Sequence, residues 1–145
     1  MPITQIIYVS RPFGYDDIDL LAILSSARRN NVRDGITGAL ICREDLYMQL
    51  LEGAEPLVQD AYKRISADSR HTEVRLLFAG SADARLFPEW AMRHDPAHSW
   101  MWSRDEVSAG AAERATADDV RAIFARLAKI SPETVQTCPM GHGTR

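Results

Sequence analysis

Cysteine is nearly absent from this chain: Cys42 and Cys138 are the two it has. Thiols so few and so far apart in sequence suggest no disulfide framework. Cys42 alternates with Leu40 in a predicted strand and reads as a small core residue. Cys138 and His142 form one possible ligand pair in Cys138-Pro-Met-Gly-His142, with no second pair, so no metal site is expected. Long apolar runs are missing too, and none approaches the roughly 18 residues needed to span a bilayer. The N-terminus, Met1-Pro2-Ile3-Thr4-Gln5, lacks the basic region and apolar core of a signal peptide, which predicts a cytoplasmic protein. Nor is there an excess of positive charge. Lys and Arg number 17 against 20 acidic residues, giving a formal charge of -3. No basic stripe with interleaved aromatics is present, so neither nucleic acid nor a membrane is an expected partner.

What is there is ordinary globular composition, 46% apolar and 26% charged over 145 residues, enough for a proper core. The first strand is predicted over Ile3–Ser10, stopped by Pro12 and Gly14. A helix follows over Asp16–Arg29, with Asp16, Asp17 and Asp19 at its positive end and Arg28 and Arg29 at the other; Asn30-Asn31 are expected to end it. Strands over Gly35–Cys42 and Tyr47–Glu52 are joined by Arg43-Glu44-Asp45 as a hairpin turn. Pro56 suits the first turn of a second helix reaching Asp68, with Leu57, Val58, Ala61, Tyr62 and Ile65 at helical spacing. Further strands are expected over Glu73–Gly80 and Glu89–Asp95.

The order β-α-β-β-α-β predicts an α+β fold of the ferredoxin-like type, βαββαββ with a five-stranded mixed sheet. Right-handed crossovers put both helices on one face. The bare face needs a cover, and Thr116-Ala-Asp-Asp119 opens a helix carrying Val120, Ile123, Phe124, Leu127 and Ile130 for that purpose. Another helix is expected near 100–112, and the two indoles of Trp100-Met101-Trp102 either anchor this segment to the sheet or offer an apolar patch to a partner. The expected division is 1–98 for the main unit, 99–131 for a C-terminal helical cap and 132–145 for a polar tail.

Gln49 is the residue that calls for an explanation. In Leu46-Tyr-Met-Gln49-Leu-Leu-Glu52, apolar residues surround it on both faces of a strand. A primary amide has two donor hydrogens and two acceptor lone pairs, and a buried polar group without a partner costs about 1–3 kcal/mol. A backbone group or a water would satisfy it. So would a ligand.

Three other pieces stand beside it. Tyr8 lies in Ile6-Ile7-Tyr8-Val9-Ser10. Arg29-Asn30-Asn31-Val32-Arg33 runs into Gly35-Ile36-Thr37-Gly38-Ala39-Leu40. Trp90 and Met92 lie in Phe87-Pro-Glu-Trp90-Ala-Met92-Arg. Taken singly, Tyr8 is a core tyrosine, Asn30-Asn31 a helix stop, and Trp90 and Met92 core filling. Together, in this order and spacing over about residues 3 to 95, they resemble the BLUF domain, the family of blue-light sensors that use a flavin. The C-terminal part also looks like that of short, stand-alone members with extra helices and no attached enzyme.

That resemblance implies a flavin, FAD with FMN as the alternative, held between the two crossover helices. Ile23, Ala27 and Asn31 share one helix face at four-residue spacing, and Ile65 suits the opposite wall. By resemblance Asn31 meets the ring's polar edge, Arg64 the ribityl or phosphate end, and Asn30 assists. His71, solvated on its own reading, completes the set of flavin-contacting candidates with Tyr8 and Gln49. Members often carry a hydroxyl residue where this chain has Ala27, so one polar contact is missing here. Tyr8, Gln49, Met92 and Trp90 are the photoactive candidates.

The implied mechanism begins with Tyr8 giving an electron to the excited flavin and its proton toward it through Gln49. Return of both leaves the Gln49 amide rearranged and the absorption shifted slightly to the red. The signal then leaves through Met92, Trp90 and the fifth strand to the C-terminal helices. On this reading the chain is not an enzyme. It acts on a downstream protein, such as a cyclic-dinucleotide phosphodiesterase or a transcription regulator, and forms a homo-oligomer. Two other readings stay open: an acylphosphatase-like hydrolase drafting Arg33 or Arg11 with Asn31, and an interaction module binding through the Trp100 region without a cofactor. The first lacks a glycine-rich phosphate cradle and leaves Tyr8 and Gln49 unexplained.

Overall fold

A computed structural model describes residues 3–12, 17–43, 45–67, 71–96 and 101–130 of the chain. Its elements are β1 (Ile3–Pro12), α1 (Asp17–Asp34), β2 (Thr37–Arg43), β3 (Leu46–Gly53), α2 (Glu55–Ser66), β4 (His71–Ala82) and β5 (Arg93–Pro96). Three short C-terminal helices follow: α3 (Arg104–Ser108), α4 (Ala111–Arg114) and α5 (Ala117–Ala128). The strands are ordered β4-β1-β3-β2-β5. β1 runs antiparallel to both β3 and β4, and β2 antiparallel to β3. β5 joins the edge of β2 in parallel. β3 is flanked on both sides and covered on both faces, so every one of its residues is buried, polar ones included.

Side chains alternating across the sheet sort the core into two layers. Ile6, Tyr8, Leu40 and Leu51 pack with Leu24 of α1 and with Val58 and Ala61 of α2. Ile7, Ala39, Ile41, Met48 and Leu50 face the other way and pack with Val107, Ala112, Val120, Phe124 and Leu127 of α3 to α5. α5 starts as its sequence predicts: the Asp119 amide donates to Thr116 Oγ1 at 3.1 Å and the Thr116 amide to Asp119 Oδ2 at 3.0 Å, a reciprocal cap. Met101 is buried in this layer and Trp102 packs against it, so the indole at 102 serves as an anchor; Trp100 and the tail 131–145 lie outside the described residues. Arg43 ties the hairpin to the same segment, pairing with Asp45 and donating from Nη1 to the Trp102 carbonyl at 2.9 Å.

Two sequence expectations need correction. α1 does not stop at Asn30-Asn31 but runs to Asp34 and ends at Gly35, whose φ of 68° lies in the left-handed region that a glycine enters without strain. Asn31 is therefore a helical residue with its side chain available to neighbours. The fifth strand is four residues, Arg93–Pro96, rather than Glu89–Asp95, and the antiparallel sheet proper has four strands. The reason lies in bonds from distant elements. The amides of Leu86 and Phe87 donate to the Glu52 carboxylate, and the Asn31 side chain donates to the Ala91 carbonyl, so this backbone is bonded away from a strand ladder. Among the described residues, no helix is long and apolar enough to cross a membrane, and no group of three or more His, Cys, Asp or Glu is placed to hold a metal ion.

Candidate functional site

The β1–β3 register sets Tyr8 directly opposite Gln49, so the two side chains share a face and lie within reach. That register is fixed by the hydrophobic alternation of both strands, since a slip of one residue would turn Gln49 to the other layer. Beside the pair, β2 approaches β3 so closely that a Cβ at Gly38 would collide with the Leu50 carbonyl. Only glycine fits there.

The Tyr8 hydroxyl donates to Gln49 Oε1. Gln49 Nε2 donates to the Met92 sulfur at 3.2 Å. Tyr8, Gln49 and Met92 are all essentially buried, at 0%, 2% and 1% exposure. A thioether is a weak acceptor. The amide thus sits in a dry place with a full acceptor bond at one end and a feeble donor bond at the other, its second donor hydrogen used by neither. This is the under-bonded polar group the sequence pointed to.

The C-terminal half of α1 holds the segment that brings Met92 to the amide. Asn31 Nδ2 donates to the Ala91 carbonyl at 2.7 Å, and Arg28 Nε donates to the Met92 carbonyl at 3.1 Å. Sequence reasoning assigned Arg28 to the helix dipole and missed this grip. Its one available signal was position: Arg28 stands three residues before Asn31, one turn away on the same helix face. Asn31 is 3% exposed and uses one of its two donor hydrogens on Ala91.

The walls come from both helices. Ala27 of α1 and Tyr62 and Ile65 of α2 are partly buried against the Tyr8 layer. The Tyr62 ring lies 5.6 Å from the Tyr8 ring, centroid to centroid, tilted by 59°. Arg64 Nη2 lies 3.6 Å from Asp34 Oδ2, which places this half-exposed guanidinium where α2 meets the end of α1. A hydrogen bond from Arg33 holds the Asp34 carboxyl below its usual range, with burial opposing and the charges of Arg33 and Arg64 adding. Asn30 is half-buried on α1. The side chains of Ile23 and His71 lie outside the described residues; His71 itself opens β4, paired with Pro12.

Trp90 and Met92 part company. Trp90 is 37% exposed and its backbone, not its indole, bonds the sheet edge through Gly38 N–H to Trp90 O at 3.1 Å. Met92 takes the inner position against Gln49. Tyr8, Gln49 and Met92 are therefore brought together, with Asn31 bonded to the backbone next to Met92, and the indole stays outside.

The residues present fit a flavin. The ring edge of such a cofactor carries carbonyl and imide groups, and this site offers neutral amide donors with hydrogens in hand, flanked by small and branched apolar side chains on two helices. A charged clamp at Tyr8 and Gln49 would not suit a neutral ring; none is there among the described residues.

Comparison with known proteins agrees. The family model for BLUF, "Sensors of blue-light using FAD", matches residues 3–93. The photoactivated adenylate cyclase subunit beta of Euglena gracilis is 36% identical over 91 residues, 62% of this chain and 10% of that protein. The blue light- and temperature-regulated antirepressor BluF of Escherichia coli is 36% identical over 70 residues, 48% of this chain and 17% of its own length. The chain thus spans a tenth to a sixth of these curated relatives. The dark-state structure of BlrB, a BLUF protein, superposes with a TM-score of 0.71 at 28% identity, covering 88% of this chain and 96% of that one.

Proposed function

The chain belongs to the BLUF family of blue-light sensors, and from that premise we propose that Tyr8, Gln49 and Met92 are its light-responsive relay, with the flavin, as FAD, bound between α1 and α2. The single observation that carries the proposal is the buried Gln49 amide, bonded to a phenol at its oxygen and to a thioether at its nitrogen. Ala27, Ile23 and Ile65 would flank the ring, Asn31 and Gln49 would meet its polar edge, and Arg64, with Asn30 and His71, would serve the ribityl and phosphate end. Bound flavin supplies absorption of blue light and an acceptor for one electron.

The chain's own part is a proton and an amide. Tyr8 is the nearest oxidisable side chain to the Gln49 amide, and its hydroxyl proton already lies on the line to Gln49 Oε1. Loss of an electron makes that phenol a far stronger acid, and the amide oxygen is the group placed to receive the proton. A primary amide turned end for end keeps its shape and exchanges its donor and acceptor ends. In the turned state Nε2 would donate to the Tyr8 oxygen, the phenol's own hydrogen would turn to another acceptor, and the Met92 contact would be lost. The turn trades the phenol's bond to Oε1 and a weak bond to sulfur for one N–H bond to the phenol oxygen, an exchange of donor and acceptor that a glutamate in its place could not make, since ionised it only accepts.

Downstream, the domain of residues 1–98 would act through the cap of residues 99–131 on a second protein, with the chain as a cytoplasmic homo-oligomer on its ferredoxin-like core. The named relatives join such a domain to an adenylate cyclase and to an antirepressor; here a cyclic-dinucleotide phosphodiesterase or a transcription regulator is the proposed target.

The test is Gln49→Leu. The variant keeps its flavin and its yellow colour but shows no reversible red shift under blue light. A shift of normal size in that variant removes Gln49 from the role given to it.

A further inference from the structure

Glu52 is a fully buried carboxyl that the light chemistry does not use. It lies three positions beyond Gln49 on β3 and faces the opposite layer. Its Oε1 accepts from Gln5 Nε2 at 3.0 Å and from the Leu86 amide at 2.8 Å. Its Oε2 accepts from the Phe87 amide at 2.8 Å and from Thr37 Oγ1 at 3.3 Å. Four donors on one carboxylate fix the start of the segment that ends at Met92. Phe87 then stands at a crossing. Its carbonyl accepts from the Trp90 amide at 3.2 Å. Its ring meets Phe124 of α5 edge-on, centroids 6.5 Å apart at 90°, and the Arg93 guanidinium lies over it at 5.9 Å. Met92 and Arg93 are neighbours in the chain and serve opposite faces of the sheet: Met92 bonds Gln49, and Arg93 covers Phe87.

We propose that Phe87, seated by the Glu52 carboxylate, is a positioning residue that passes the state of the Gln49–Met92 contact to helix α5. The inference rests on the light-sensing reading given above. Release of Met92 by a turned amide shifts the Met92–Arg93 step, and Arg93 carries the shift to the far side of the sheet. A loop without an anchor would absorb such a movement. Here the Phe87 backbone is pinned to β3, so the change is expressed where its ring meets Phe124, at a packed contact with few alternative arrangements. The effect on α5 is a shift in the population of its docked state rather than a new bond.

The experiment compares dark and lit samples of the full, flavin-loaded chain by hydrogen exchange of α5 amides, with absorption recorded alongside. The unaltered protein is expected to show both a red shift and a light-dependent change in α5 protection. Phe87→Leu keeps the red shift and loses the α5 change. Glu52→Gln, which keeps volume but offers one acceptor oxygen to two backbone donors, speeds exchange at the Leu86 and Phe87 amides even without flavin and also loses the α5 change, so it answers the question should Phe87→Leu not fold. A purely structural clamp would alter stability and leave the α5 response in place. Persistence of that response in either folded variant, or its absence from the unaltered protein beside a normal red shift, overturns the proposal. A missing red shift in the unaltered protein defeats the light-sensing reading instead.

Discussion

The two faces of the sheet are built to opposite rules. Under α3 to α5, Phe87, Val120, Phe124 and Leu127 are excluded from water, and the buried Glu52 carboxyl has four donors. Under α1 and α2, the Gln49 amide gives a hydrogen to a sulfur, and Ala27, Tyr62 and Ile65 are only partly buried. The Glu52 carboxyl of the first face is saturated as it stands. The Gln49 amide of the second is not, with a thioether as the acceptor of its donor bond. A saturated layer stabilises and holds still; an under-bonded one can change its pairing at small cost. Substitutions on the two faces should fail differently.

The largest effect belongs to the saturated face. Phe124→Ala removes a fully buried ring that packs on Phe87, and truncation of a buried Phe costs about 3–5 kcal/mol of stability. Urea denaturation of the flavin-loaded protein measures it. The red shift of the fraction still folded should keep its usual size, because no atom of Phe124 lies in the Tyr8 layer. A lost shift with little loss of stability would reverse the comparison between the faces.

Next comes the edge of that face. Thr116→Ala leaves the Asp119 amide without its side-chain acceptor, and loss of such a cap costs about 0.5–2 kcal/mol. Thr116→Ser should recover most of it, which separates the cap from any packing of the methyl group. Midpoints of thermal unfolding for the two variants decide the matter.

Much of this division is legible in the chain. The alternation of β3 exposes Gln49 as a polar residue in an apolar run, and the spacing of Val120, Phe124 and Leu127 marks the helix that covers the other face. The Thr116 cap is read correctly three residues before Asp119. What is not legible is where long-range side-chain bonds override local preference. Asn30-Asn31 reads as a stop, yet Gly35 supplies the better left-handed position four residues on and the helix continues to it. Glu89–Asp95 reads as a strand, yet Glu52, thirty-odd positions earlier, takes the amides of Leu86 and Phe87 and keeps the segment irregular as far as Met92. Alternation puts Trp90 and Met92 on one face, yet Trp90 is exposed and Met92 buried, because the segment that carries them is not a strand. Arg28 is the plainest case: a residue suited to a helix end by charge is used for a carbonyl sixty-four positions away.

The smallest effect tests the tie between the hairpin and the saturated face. Partial burial pushes the Asp45 carboxyl up, but the hydrogen bond and charge of Arg43 outweigh it and hold the group below its usual range. A carboxyl whose affinity for protons is lower folded than unfolded adds stability above its unfolded value, near 3.9, and loses it as pH falls through the lower folded value. The pair is partly solvated, with side-chain exposures of 11% for Arg43 and 23% for Asp45, so its worth is that of a screened pair, about 0–1 kcal/mol. Asp45→Asn should therefore leave stability at neutral pH slightly lower and flatten its fall below about pH 4. Arg43 keeps its bond to the Trp102 carbonyl in that variant, so the cap stays docked. Denaturant midpoints between about pH 2 and 7 measure this directly. An acid limb as steep as that of the unaltered protein would mean that other carboxyls set the acid sensitivity, and that the hairpin is joined to the cap through Arg43 and Trp102 without help from Asp45.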